Sequence, residues 1–213
     1  MKRHGRSSDH AQKRSNDNAG IVLRCTRFSR WYDAPVLALT PDQQAAFRAA
    51  AFAAAADAPL LTAIDALYVD VQSAIDARRP RCDASGRCCR FESYGHRLFV
   101  TTAEAAHFAA AHRGATGKTL DLSAWDGAGC PLQADRLCNA HAYRPFGCRI
   151  FFCDPSAGDW QHEQYEQFHT RLKALHETHR VPYYYVEWRA ALRAVCQIDA
   201  RYAEGAAMTS RLT

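Results

Sequence analysis

Apolar positions along the chain keep a helical rhythm in most places and lose it in one. Leu60, Ile64, Leu67, Val71 and Ile75 follow one another at steps of four, three, four and four, which lays them along one face of a helix. Pro80 ends that run. Upstream, Thr40 and Gln43 form a capping box and Pro41 suits a first turn, so a helix is predicted from Thr40 to about Ala56. Asp57 and Pro59 stop it and open the next, and the two helices are expected to fold back as an antiparallel hairpin.

Farther on, "HRLFVTT" reads as a short strand. "TTAEAAHFAAAHRG" reads as a helix capped by Thr101 and Glu104 and stopped by Gly114. "KTLDLSAW" is expected as another short strand, and "GCPLQADRLCNAH" as a hairpin turning at Ala134-Asp135. A further helix carries Tyr165, Phe168, Leu172 and Leu175 on one face. "VPYYYVEW" is expected to be extended, before a last helix bearing Trp188, Leu192, Val195 and Tyr202. There is no internal repeat. The expected fold class is mainly α, or α+β with a few short strands, with helices around a cysteine-rich, loop-built metal centre. Residues 1–20, polar and without period, are expected as a disordered basic tail. Residues 21–205 are expected as a single domain whose metal-site core is 82–153, and 206–213 as a C-terminal tail.

Charge changes this picture little. The net charge is +5, and residues 1–20 carry +3 of it through Lys2, Arg3, Arg6, Lys13 and Arg14 against Asp9 and Asp17. The remainder is nearly balanced, which argues against nucleic acid as a partner. The alanine-rich stretch around residue 50 is interrupted by Arg48, Asp57 and Pro59, so no membrane span is expected. "IVL" at 21–23 is too short for the apolar part of a secretory signal. A cytoplasmic location follows, where thiols stay reduced.

That location matters because the chain has nine cysteines, an odd number that cannot pair completely. Seven lie in the stretch without helical rhythm: Cys82, Cys88, Cys89, Cys130, Cys138, Cys148 and Cys153. Gly86, Gly129, Pro131, Pro145 and Gly147 surround them. Loops let thiolates from distant segments converge, and soft thiolates select zinc, copper(I) or iron–sulfur clusters. Four ligands complete a zinc site or a cluster, so seven thiols imply two sites or one site with thiol neighbours. In extended backbone Cys88 and Cys89 would face opposite ways, which favours two metals or a polynuclear cluster. Cys196 follows Leu192 by four and reads as a small buried hydrophobe; Cys25 is left open.

Arg81, Arg87, Arg90, Arg144 and Arg149 lie beside these cysteines, where positive charge lowers thiol pKa values. Arg90, Arg144 and Arg149 are the candidates to donate to sulfur or to orient the loops. His141, between Cys138 and Cys148, is the one histidine to consider as an accessory ligand. His176 and His179 are three apart, not the four of a zinc-protease motif, and read as packing or surface residues. "PYYYVEW" reads as core or interface rather than a base-stacking platform, because no basic stripe accompanies it.

"CDASGRCCR", then a capped helix, then "GCPLQADRLCNAHAYRPFGCR", resembles the YkgJ-type cysteine-cluster family, the CxxCxxCC zinc- or iron-chelating domain. Cys82, Cys88, Cys89 and Arg90 match its first block. Cys130-Pro131, Cys138, Arg144-Pro145 and Cys148-Arg149 match its second. Ser85 stands where the second cysteine of that pattern belongs, and Tyr143 directly precedes Arg144. Cys153 is our candidate to replace the missing thiol. The resemblance implies a metal-binding protein holding an iron–sulfur cluster or zinc, with a redox or electron-transfer role, as in an iron–sulfur oxidoreductase. The alternatives are a zinc-stapled domain that binds a protein partner, and a cluster-dependent protein-modifying enzyme similar to the flagellin lysine methylases.

Overall fold

The structure, a computed structural model, describes residues 39–196. Cys25, Tyr202 and both tails lie outside the described residues. Of the described residues 61% are helical and 6% are in strands, which makes the fold mainly α. Helix α1 (Pro41–Ala55) opens on the expected capping box of Thr40 and Gln43. Helix α2 (Ala58–Arg78) is capped by Asp57, whose side chain accepts from the Leu60 N–H. Its five-residue stripe is buried throughout.

These two helices do not form the expected hairpin. They meet at 88°. The C-cap of α1 is Ala56 and the N-cap of α2 is Asp57, so no loop remains in which the chain could reverse. Among the described residues no single helix is long and apolar enough to cross a membrane.

A short helix α3 (Phe91–Tyr94) follows the first cysteine block. Strand β1 (Phe99–Thr101) then leads directly into helix α4 (Thr102–Thr116). The Thr101–Glu104 capping box forms as expected, but Gly117 rather than Gly114 ends α4 in the left-handed conformation. Residues 118–126 are turns and bends rather than a strand; Asp121 and Asp126 each accept a backbone N–H two residues on, which holds local turns in place of a ladder.

The small hairpin is present as β2 (Gln133–Ala134) and β3 (Leu137–Cys138), paired antiparallel. It turns one residue later than expected. Asp135 and Arg136 occupy the two turn positions, both at positive φ (48° and 68°), as hairpin twist requires. Helices α5 (Phe146–Ile150) and α6 (Gly158–Thr178) come next, then β4 (Tyr185–Glu187), which pairs antiparallel with β1. A last helix, α7, covers 188–196 among the described residues.

Two apolar clusters share α4. Phe108, Ala105 and Ala109 pack with Phe47, Trp188, Leu192 and Val195 of α1 and α7. Ala103 and Ala106 pack with Leu60, Ile64, Val71, Phe146, Phe168 and Leu172 of α2, α5 and α6. Cys130, Cys138 and Cys196 rest against the edge of the first cluster, so the thiol-bearing loops cap one end of it.

Candidate metal centre

The first cysteine block is shaped by backbone that few residues adopt. Ala84 and Gly86 both have positive φ (47° and 71°). A Cβ on Gly86 would stand 2.4 Å from Gln133 Nε2 and 2.8 Å from the Arg136 carbonyl oxygen. Only glycine admits the hairpin this close. Gln133 Nε2 donates to the Gly86 carbonyl at 2.9 Å, and the Cys130 N–H donates to the Cys89 carbonyl at 2.8 Å. The Gly129 N–H donates to Glu92 Oε2 at 2.9 Å. Three polar ties thus fasten the two blocks together, although 40 residues of helix and loop separate Cys89 from Cys130 in the chain.

Arg87–Cys89 forms a 3-10 turn rather than extended chain. The premise that Cys88 and Cys89 face opposite ways in extended chain does not hold, and the Cys89 side chain acts on the Cys88 thiol. The expectation of two metals or a polynuclear cluster rested on extended backbone, which this turn replaces. Cys89 is buried and its thiol lies near enough to those of Cys130, Cys138 and Cys88 for each to act on it. Those contacts and burial push the Cys89 thiol upward. The Cys89 hydrogen bond, with Arg144 assisting against burial, brings Cys88 down to about 6. Cys138 is brought to about 7, first by Cys89, with burial opposing and Arg144 assisting. Cys130 is lowered by Cys89 against burial.

Cys148 sits behind these four. Burial pushes its thiol well up, and the charges of Cys130 and Cys138 add to the effect. It is placed there by α5, where Gly147 lets the helix approach Leu98: a Cβ would stand 2.5 Å from Leu98 Cδ1. Cys153 lies on the other side. Its thiol is raised by burial and by Cys88, and shares a hydrogen bond with Ser85. Cys82 is exposed and acts on Cys153 only as a weak, more remote charge.

Among the described residues, no three His, Cys, Asp or Glu side chains stand in a ready-made metal-ion geometry. The four central thiols are near enough to act on one another's ionisation, without standing around a common centre.

Two buried donors near the thiols lack an acceptor: Arg144 Nε and Trp188 Nε1. Arg144 acts on Cys88, Cys138 and Cys148. The indole N–H of Trp188 is directed at Cys130 and lowers its pKa, though outside regular hydrogen-bond geometry. The other arginines do different work. Arg90 donates to the Ser85 carbonyl at 2.8 Å and lies near the Tyr94 ring together with Arg87. Arg149 donates to the carbonyls of Arg144 and Ala142, both at 2.9 Å. Arg81 pairs with Asp83 at the surface.

His141 is exposed and its pKa is lowered by partial burial, Arg144 and Arg149; no thiol acts on it. His176 is a buried packing residue, its Nδ1 3.1 Å from the Val181 carbonyl oxygen. Half-buried Cys196 donates to the Arg193 carbonyl, away from the centre. His96 was not singled out by sequence. Its Nε2 lies 3.2 Å from the Cys88 carbonyl and its ring stacks on Phe151. Trp188, Gln133 and Glu92 were likewise missed as parts of the centre. Each is distant from it in sequence or carries no motif, and only the fold reveals the contact.

Comparison of the chain with family models, with curated proteins and with solved structures returns no match in any of the three.

Proposed function

We propose that the chain is a thiolate metal-binding protein whose centre is held by Cys88, Cys89, Cys130 and Cys138, and that it belongs with the YkgJ-type cysteine-cluster proteins it resembles. One observation carries the reading. Two buried donors, Arg144 Nε and Trp188 Nε1, make no regular hydrogen bond and adjoin the four thiols, Trp188 being directed at Cys130. A buried N–H without a partner costs about 1–3 kcal/mol. Thiolate sulfurs bound to a cation are stronger acceptors than thiols, so metal loading would satisfy both donors. The chemistry of the donor set, four soft sulfurs beside two buried N–H groups, supports this reading, although among the described residues the sulfurs do not stand in a ready-made metal-ion geometry.

Four thiolates around one soft centre match either tetrahedral zinc or an iron–sulfur cluster. When bound, zinc would supply structural cross-linking and an iron–sulfur cluster would supply one-electron transfer. Arg144 offsets the negative charge of the thiolates. Trp188 orients Cys130, and Cys148 stands behind as a fifth sulfur. Cys153 lies near Ser85, the position of the cysteine missing from the family pattern, and stands outside the four-thiol set. The redox reading is favoured by Cys88, which is exposed and gives a reaction partner an approach to the centre. The staple reading is favoured by the four-thiol set itself, since structural zinc sites are closed by four protein ligands.

Anaerobic purification followed by elemental analysis and visible spectroscopy tests this. Stoichiometric iron and sulfide, with absorption bleached by dithionite, gives the redox reading. Stoichiometric zinc in colourless protein gives the staple. Protein carrying neither overturns both.

A further inference from the structure

Cys153 stays outside the four-sulfur centre, and the fold sets it against Cys88. Two bridges bracket the pair. On one side the Arg81 N–H donates to Asp154 Oδ2 at 3.0 Å, and Arg78 donates to the Ser156 carbonyl at 2.9 Å. On the other, His96 Nε2 lies 3.2 Å from the Cys88 carbonyl oxygen, while its ring stacks on Phe151 with centroids 5.2 Å apart. Residues 151–156 are thus laid along the first cysteine block from both ends. Gln161 of α6 anchors that segment by accepting the Phe152 N–H. Of the charges that act on Cys153, that of Cys88 is the strongest, ahead of Arg87 and of more remote Cys82.

The two thiols differ in access. Cys88 is exposed on its 3-10 turn, and Cys153 is half-buried. A dissolved oxidant therefore meets Cys88 first, with Cys153 behind it. Neither residue belongs to either apolar cluster, so their sulfurs can approach without unpacking the core. Arg87 favours the anionic form of Cys153, which is the form that attacks an oxidised sulfur.

We propose that Cys88 and Cys153 are a redox-sensitive pair that a hydroperoxide closes to a disulfide. The Cys88 sulfur attacks the outer peroxide oxygen and the O–O bond breaks. Water or an alcohol leaves, and Cys88 becomes the sulfenic acid. The Cys153 thiolate then attacks that sulfur; the S–S bond forms, the S–O bond breaks, and hydroxide takes a proton and leaves as water. Two thiols give up two electrons and two protons, and the peroxide takes them. A dithiol reverses the bond by exchange. The disulfide needs only these two residues. Its consequence rests on the metal-binding reading: Cys88 joined to Cys153 no longer serves the centre, so oxidation releases the metal.

Full chain stripped of metal by chelator separates this pair from the metal reading. After equimolar hydrogen peroxide and alkylation of the remaining thiols, peptide mapping without reductant should show Cys88–Cys153 as the main linkage, and dithiothreitol should remove it. Cys82→Ser should keep it. Cys153→Ser should abolish it and leave Cys88 as a sulfenic acid that dimedone traps, with circular dichroism unchanged. Linkage of Cys88 chiefly to Cys89, Cys130 or Cys138 overturns the proposal, as does linkage of Cys153 to Cys82 or oxidation of wild-type Cys88 without any linkage. From protein that holds metal, peroxide should release it into a chromophoric chelator about tenfold more slowly in Cys153→Ser than in the wild type; equal rates overturn the proposed consequence. A chain that holds no metal yet forms the linkage overturns the metal reading and supports the thiol pair.

Discussion

The helical half and the loop half of this molecule are held together by different forces. Around α2 and α6 the contacts are apolar and continuous. Leu60, Ile64, Val71 and Leu172 are wholly buried, and their stability comes from area removed from water. Around the cysteines the backbone turns through positive φ at Ala84, Gly86, Gly129, Asp135 and Arg136, and the ties are single hydrogen bonds between loops. The first half would persist without any cofactor. The second packs Cys130 and Cys138 only against the edge of an apolar cluster, and under the proposed function a bound metal would add order to it. The two should therefore fail separately.

The largest effect is expected in the helical half. Leu172→Ala should cost about 2–5 kcal/mol of unfolding free energy, read by urea denaturation. It should lower the stability of the helical half, while metal content per folded molecule stays unchanged. Gly86→Ala should cost about 1–3 kcal/mol, because its Cβ meets Gln133 and the φ is unfavourable. Its signature is different: metal content should fall sharply while helical circular dichroism is kept. Equal loss of helix and metal in both variants would erase the distinction between the halves.

A smaller effect belongs to their junction. Buried Glu104 accepts from the Thr101 N–H at 2.8 Å and from the Phe146 N–H at 3.0 Å, and so joins α4 to the helix that carries Cys148. Burial, outweighing those bonds, raises its pKa from 4.5 to about 7. The folded state thus holds this proton more tightly than the unfolded one. Its contribution to stability is full below about pH 4.5 and is lost as pH rises to about 7. Denaturant titrations across that window should show the decline, and Glu104→Gln should flatten it. A wild-type slope that survives the substitution would assign it elsewhere.

Sequence disclosed these halves unequally, for a physical reason. Helical burial repeats every 3.6 residues, so the stripe on α2 and the capping boxes at Thr40 and Thr101 stood out in the chain itself. The right-angle turn after α1 did not, because two adjacent caps leave no loop and the sequence suggests only a break. Clustering of thiols from two blocks was suggested by spacing and turn residues. The 3-10 turn at Arg87–Cys89 was not, since it depends on Gly86 docking against Gln133 and Arg136. Trp188 was read as one apolar face of a helix. Its N–H gained a role only when β4, paired with β1, carried it against Cys130. Local pattern reports which surface is buried; it does not report which polar atom meets which across the fold.

The central claim is that Cys88, Cys89, Cys130 and Cys138 act together. Thiol alkylation followed by mass spectrometry, on protein with bound metal and after its removal by chelator, tests it most directly. In the metal-free protein at pH 7 Cys88 should react first, being exposed and titrating at about 6, and Cys148 last, its thiol buried and raised. Bound metal should protect the four as a group and leave exposed Cys82 reactive. Modification of these four at rates unaffected by metal, or protection of only one block, would contradict the account.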